Sequence, residues 1–541
     1  MTVLPALRYP TIGSWSSDPE SEVYPLDRVV DALGNLGKIV SVIEKDGALF
    51  AVTNGEARLG GAGTLVAVSP PLPASRLGDS SFCRDHGIRF PYVSGAMANG
   101  IGSVEIAVEL ARRGALGFFG AAGLAPERVE RAIEKLDVEL GELPYGVNLI
   151  HSPNEPELEE ALAELLLRRS VRMVEASAYL GLTPAIVRYR LSGIRRGAHG
   201  RVVAPNRVVA KVSRVEVAEQ FFSPAPERIL RELVAAGRLT AEEAALAAEI
   251  PVAQDVTAEA DSGGHTDNRS PLTLWPTLLS LRDRLQEKYG YGAALRVGAA
   301  GGISTPASAA AAFAMGAAYV LIGSVHQGTR EAGTSDAVRE LLAGARQADV
   351  TMAPAADMFE MGVKVQVLKR GTMFAMRGAK LYELYRTCDS LDAIPAPERA
   401  RLEKDLFRDT LENAWASTRA FFQTRDPSQI ERAERDPKHK MALVFRAYLG
   451  QASRWANAGL PERKIDYQVW CGPSMGAFNE WVAGSPLEDW RARTVSRVAS
   501  NLLFGAAVET RLNALRAQGV PLPSGARVRP VKGDELWERL G

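Results

Sequence analysis

The sequence predicts an α/β chain built on a (β/α)8 TIM barrel, with a small β-containing module before it and a large helical cap after it. Two observations carry the barrel. Eight short, almost continuously apolar runs alternate with amphipathic stretches between residues 91 and 322. Near the end of that region, successive runs stop at Ala300-Gly301-Gly302 and Gly323-Ser324, which places glycines just beyond the carboxyl ends of strands. A third observation sets the flanks, because the alternation is absent before about residue 86 and gives way to helical periodicity after Val325.

Taken in order, residues 1–85 read as the N-terminal module. Leu36 to Val52 alternates and turns at Asp46-Gly47, the signature of a hairpin. Residues 86–348 read as the barrel. Its expected strands are Pro91–Gly95, Leu116–Gly120, Tyr145–Ile150, Met173–Ala176, Val208–Val212, Val252–Ala258, Leu295–Ala299 and Ala318–Ile322. Strands apolar on both faces belong in a parallel sheet covered by helices, and eight of them favour closure. Helices are expected at Ser103–Arg113, Pro126–Leu140, Glu155–Arg169 and Pro184–Arg190, with a helical insertion at about 221–249. Residues 349–541 exceed what a barrel requires. With helices expected at Gly371–Tyr385 and Leu406–Phe422, they read as a lid or substrate-binding cap.

Composition removes several function classes. Lys+Arg and Asp+Glu both number 64, which argues against a nucleic-acid binder. Cys83, Cys388 and Cys471 are too far apart for a zinc site or a disulfide framework. No apolar run approaches a membrane span and no secretory pattern opens the chain, so the expectation is a cytoplasmic protein without membrane contact. A chain of 541 residues suggests two to four domains. Neither a Gly-x-Ser-x-Gly elbow nor a Rossmann Gly-x-Gly-x-x-Gly follows a strand.

The chemistry-bearing residues cluster between Ile250 and Val325. Glycines at strand ends let backbone N–H groups approach an anion, and a following helix N-terminus favours negative charge. Two such turns in tandem favour a flavin-phosphate barrel over simple tight turns. His265 follows Ser262-Gly263-Gly264 at the mouth of the sixth strand, where an imidazole can deliver a proton near neutral pH. Asn148 ends an otherwise apolar strand and offers a donor and an acceptor. Lys211 interrupts Val208–Val212; a charge there needs a partner, either the anionic edge of a reduced flavin or Glu175 on the fourth strand. The stretch Arg188, Arg190, Arg195, Arg196, Arg201 and Arg207 reads as a solvated face, a dinucleotide-phosphate contact or a landing patch for an acidic carrier protein.

Ser262-Gly263-Gly264-His265, Ala300-Gly301-Gly302-Ile303 and Gly316-Ala317 leading to Gly323-Ser324 resemble the FMN-dependent nitronate monooxygenase superfamily, which also holds the flavin-dependent bacterial enoyl-acyl-carrier-protein reductases. Longer strings narrow the resemblance: residues 259–269, residues 364–372, and Tyr467-Gln468-Val469-Trp470-Cys471-Gly472-Pro473. They resemble the PfaD family, enoyl reductases of polyunsaturated fatty acid synthases and trans-acyltransferase polyketide synthases. The likeness runs from about Phe90 to the C-terminal helices. It implies FMN as cofactor, NADPH as reductant with NADH an alternative, and acyl carrier protein domains of a multidomain synthase as partners; a homodimer is compatible with it. It also implies that His265 lies beside the flavin ring and that Ala96-Met97 runs past it, although a core role for Met97 stays open. Asn148 matches the family's Gly-Val-Asn. The competing functions are a nitronate monooxygenase and a non-catalytic flavin-binding scaffold.

Overall fold

The computed structural model describes residues 9–153 and 155–541. Its centre is a closed barrel of eight parallel strands: Tyr92–Ser94, Leu116–Phe119, Gly146–Ile150, Met173–Ser177, Arg207–Val212, Asp255–Glu259, Arg296–Ala300 and Val320–Ile322. These are the eight runs expected from the sequence, each within a few residues. The eighth strand closes on the first through Val320 opposite Tyr92. Inside, Phe118, Met173, Val209, Tyr319 and Leu321 fill the barrel. A helix at Ser80–His86, capped by the Asp79 side chain on the Ser81 N–H, plugs the amino end. There Phe82 stacks on Tyr319 at 4.0 Å, and Asp255 accepts from His86 Nε2 at 2.8 Å and from Arg296 Nε at 2.6 Å.

The expected insertion is a run of helices at Val215–Phe222, Glu227–Ala235 and Ala241–Leu246. Ahead of the barrel lies a six-stranded antiparallel sheet. Its hairpin, Val40–Lys45 and Ala48–Thr53, turns at Asp46 and Gly47, both with positive φ (53° and 79°), as a tight two-residue turn requires.

After the eighth strand the chain is not helical throughout. After two short helices, Ser324–Gln327 and Asp336–Ala343, it forms strands Val350–Pro354 and Lys364–Leu368, and the second of these pairs with the short strand Gly264–His265 from the barrel mouth. Alternation at Lys364-Val365-Gln366-Val367-Leu368 carries that strand, which the expectation of a helical cap overlooked. Helices Phe374–Thr387, Leu411–Arg425, Pro427–Arg435 and Pro437–Ala458 follow. The second of them starts at Leu411 rather than Leu406 because Arg408 takes a left-handed conformation (φ 57°). Buried Asp466 ties this part together, accepting from Tyr448 Oη at 2.6 Å and from Arg463 and Arg377.

The helix Val495–Ala517 returns to the barrel wall. It packs on Pro306–Ala314, where Gly505 lets the Pro306 ring approach, and on Val104–Arg112. That is the position of the eighth barrel helix, so residues between the eighth strand and its helix form an insertion over the mouth. From this helix, buried Arg511 donates to the carbonyls of Leu33, Asn35, Lys38 and Ser69, which locks the N-terminal sheet to the barrel.

Candidate active site

A cavity of about 460 Å3 opens at the carboxyl end of the barrel and runs under the insertion. The structure brings the candidate residues of the barrel mouth to its wall: Ala96, Met97, Asn148, Lys211, Ser262, Gly263, Gly264, His265, Ala300, Gly301, Gly302, Gly323 and Ser324. They arrive together because parallel strands deliver all their carboxyl ends to one face.

At one end, the turns after the seventh and eighth strands form a cradle. Gly301 and Gly302 both have positive φ (80° and 75°), which a side chain resists. A Cβ on Gly302 or on Gly323 would meet nothing within 4 Å, so the space in front of both is open. The N–H groups of Gly302 and Ile303 find no hydrogen-bond partner among the described residues, and the Ser304 hydroxyl is buried without one. The helix Pro306–Ala314 begins just beyond. Unsatisfied donors, open space and a helix N-terminus together fit a phosphate monoester. Over the cradle, Gly472 N donates to Ser324 Oγ at 3.1 Å, so the Cys471-Gly472 turn of the insertion forms its roof. The Cys471 thiol is pushed up to about 12 by burial and carries no thiolate chemistry.

The polar centre is a chain of charges on strands four to six. Lys211 Nζ pairs with Glu259 at 3.3 Å and not with Glu175, one of the two partners open for it in the sequence. In register Lys211 lies midway between the two carboxylates: it faces Thr257, two residues before Glu259, and sits two residues above Val209, which faces Glu175; the ammonium reaches the mouthward partner. The lysine side chain extends toward the mouth. Burial lowers its pKa, but Glu259 and Glu175 outweigh that and hold the ammonium charged. Glu175 is fully buried, with one carboxylate oxygen accepting from Ala96 N at 2.8 Å and the other unpaired. Burial raises its pKa to about 7, against the pull of Lys211. Asn148 spends its amide on the Glu175 carbonyl and the Ser177 hydroxyl, at 3.1 and 3.0 Å.

His265 sits across from this chain, with about a third of its side chain exposed to the cavity. Its Nε2 lies 3.2 Å from both carboxylate oxygens of Asp357, which comes from the loop between the two insertion strands. Burial draws the imidazole pKa down, but the Asp357 charge and hydrogen bond exceed that, so the net shift is upward. Nδ1 has no hydrogen-bond partner among the described residues and is left for a ligand. The loop is fixed from the insertion side, since Gln366 Nε2 donates to Asp261 Oδ1 and to the Ser262 carbonyl, both at 2.7 Å. Gly263 permits that closeness: a Cβ there would lie 2.9 Å from Cys471 N. The strings at residues 364–372 and 467–473 are therefore the walls that hold the His265 loop.

Sequence reasoning missed Asp357, which lies 92 residues from His265 and carries no local signal. It also missed His151, whose Nδ1 meets the buried carboxylate of Glu159 at 3.0 Å while the ring lines the cavity. Glu159 further accepts from Ser152 N and from Tyr179 and Thr183 hydroxyls. A His eight residues before a Glu on a helical face was the available cue. Asp267, two residues after His265, is engaged by Ser213 and Arg214. The arginines from Arg188 to Arg207 form no patch at the mouth: Arg207 opens the fifth strand at the opposite end, Arg190 is buried on backbone carbonyls, and Arg188 and Arg196 pair with Glu164 and Glu249. No cluster able to hold a metal occurs among the described residues.

A (β/α)8 barrel with a glycine cradle after its last two strands and a histidine–carboxylate pair over the mouth defines a class, the barrels with mouth-facing acid–base groups. The chain belongs to the nitronate monooxygenase family, whose model matches residues 81–383. Residues 388–467 match the inserted helical domain of [acyl-carrier-protein] S-malonyltransferase. A subunit of the polyunsaturated fatty acid synthase of a Thraustochytrium species is 49% identical over 82% of this chain and 30% of its own. Polyketide biosynthesis protein PksE of Bacillus subtilis is 46% identical over 82% of this chain and 57% of its own. The chain thus spans less than two thirds of the length of either relative. Among solved structures, the enoyl reductase domain of MlnA from the macrolactin cluster of Bacillus amyloliquefaciens is 40% identical. It covers 82% of this chain and 99% of its own, with a TM-score of 0.77. No helix among the described residues is long and apolar enough to cross a membrane.

Proposed function

We propose that this chain is an FMN-dependent, NAD(P)H-consuming enoyl reductase. It acts in trans on 2-enoyl thioesters of acyl carrier proteins, in polyunsaturated fatty acid or polyketide biosynthesis, in the cytoplasm. One observation carries the reading: the cavity does not end at His265 but continues from the glycine cradle into a cleft beneath the insertion helices, lined by Leu158, Leu162, Phe421, Phe422 and Leu443. A small nitronate needs no such cleft; an acyl chain does. The similarity to synthase proteins and to a solved enoyl reductase domain supports it.

The residues divide the work. The N–H groups at Gly302 and Ile303 and the Gly323-Ser324 turn would hold the FMN phosphate, with Ala96-Met97, Asn148 and Lys211 along the ring system. FMN supplies the hydride chemistry between NAD(P)H and the β-carbon of the thioester. Lys211 places a fixed positive charge where negative charge accumulates. His265, kept protonated by Asp357, delivers the proton to the α-carbon and regains it from water. The overhanging insertion excludes bulk solvent from that transfer.

The test is NADPH oxidation by the FMN-loaded protein with a crotonyl thioester, set beside oxygen consumption with an alkyl nitronate. Thioester-dependent NADPH oxidation is expected. Nitronate oxidation without NADPH would make the chain a monooxygenase, and inertness toward both would make it a scaffold.

A further inference from the structure

Where the cleft reaches the surface, the insertion is strapped to the barrel on two sides. On one side Asn99 Nδ2 donates to Ser453 Oγ at 2.8 Å; on the other Arg425 grips Glu155 through two hydrogen bonds of 2.6 and 3.0 Å. Between the straps stands Phe421, 41% exposed, with the guanidiniums of Arg425 and Arg454 at 5.4 and 5.9 Å from its ring centre. Both arginines line the cavity. Arg128, in the first turn of the helix Pro126–Leu140, approaches from the barrel side beside Gly100.

The charge at this opening does not balance. Arg425 has Glu155, but neither Arg454 nor Arg128 has an ion pair or a side-chain hydrogen bond among the described residues. Burial, then repulsion from Arg425 and Arg128, draws the Arg454 pKa down, so Arg454 feels both of the other cations. Like charges crowded beside an apolar cleft are unfavourable unless an anion completes them. Planar guanidiniums with free donors suit a phosphate.

We propose that Arg128, Arg425 and Arg454 form a phosphate-ester subsite at the rim of the cleft, separate from the glycine cradle. Resting on the function proposed above, its ligand is the phosphodiester of the pantetheine arm, which anchors the thioester while the acyl chain enters between Leu158, Leu162 and Phe422. A nicotinamide dinucleotide carries the same chemistry, and the test separates the two.

The experiment uses the full chain loaded with FMN and measures binding of 4′-phosphopantetheine, pantetheine and NADPH by calorimetry. The native protein is expected to bind phosphopantetheine about tenfold more tightly than pantetheine, the combined effect of two partly exposed ion pairs. Arg128→Ala/Arg454→Ala should bind the two alike, whereas Arg128→Lys/Arg454→Lys, which keeps the charge, should retain part of the preference and so rule out misfolding. An alanine variant weakened about tenfold toward NADPH instead assigns the subsite to the dinucleotide. No preference for phosphate in the native protein together with unchanged NADPH binding in the alanine variant, or a preference that survives it, overturns the subsite. Turnover of crotonyl-pantetheine, which has no phosphate, reports the enoyl reductase reading on its own.

Discussion

Gly301 and Gly302 are adjacent, share a left-handed backbone, and should fail in different ways when substituted. A residue with a Cβ held at φ near +75° costs about 1–2 kcal/mol, and a β-branched one sits at the upper end. At Gly302 that is the whole penalty to the fold, because a Cβ meets nothing within 4 Å. At Gly301 the same atom would stand 2.6 Å from Ala260 C and 2.7 Å from its carbonyl oxygen. Backbone of a neighbouring strand cannot swing aside as a side chain can, so overpacking adds to the strain and the total reaches about 2–5 kcal/mol. Gly302→Val should therefore leave a folded protein with an empty cradle, its side chain filling the phosphate space. Gly301→Ala should lower stability first. Urea unfolding of the apoprotein measures the two penalties, and flavin absorbance after reconstitution and gel filtration measures occupancy. Stoichiometric FMN retained by Gly302→Val would refute the assignment of this turn to the phosphate. Equal destabilisation by both substitutions would refute the reasoning from space.

His265→Ala should divide the half-reactions: in stopped flow, bleaching of FMN by NADPH stays near normal while reoxidation by an enoyl thioester slows about 10²–10⁴-fold. Equal slowing of both halves would reduce His265 to a wall of the flavin site. Because Asp357 raises the His265 pKa, the protonated imidazole persists above the ordinary histidine range, and the pair's stabilisation is lost only as pH rises through the folded-state value. Asp357→Asn should move the alkaline limb of the reoxidation profile to lower pH, and an unmoved limb would place the titrating acid elsewhere. At the barrel's amino end, Asp255→Ala leaves the buried Arg296 with Asp85 as its remaining carboxylate partner and takes the acceptor from His86, and should cost about 3 kcal/mol in urea unfolding, with the site far from the cavity and FMN occupancy kept. The Asp255 carboxyl is held far below its ordinary range by His86 and Arg296 despite burial. Its contribution is therefore complete above that range and is lost as pH falls toward the lower value; a loss under 1 kcal/mol would show that the partners find other acceptors.

What the sequence by itself determined is the part encoded by short-range pattern. Parallel barrel strands are buried on both faces and must read as apolar runs, so Leu116–Phe119 and Gly146–Ile150 were legible within a residue or two. Glycines at positive φ cannot be replaced cheaply, which makes Gly301-Gly302 visible, and closure then sends every strand end to one mouth. What only the tertiary structure decided depends on groups distant in the chain. Asp357 reaches His265 because two strands of the insertion pair with Gly264–His265. Lys211 stands midway in barrel register between Glu175 and Glu259, two residues from each, and pairs with the mouthward one, an arrangement that composition does not record. The eighth barrel helix is Val495–Ala517, supplied after an insertion, and no local periodicity states which neighbour a helix will cover. Local conformation follows from local sterics; partnership among buried charges follows from the closed topology that brings them together.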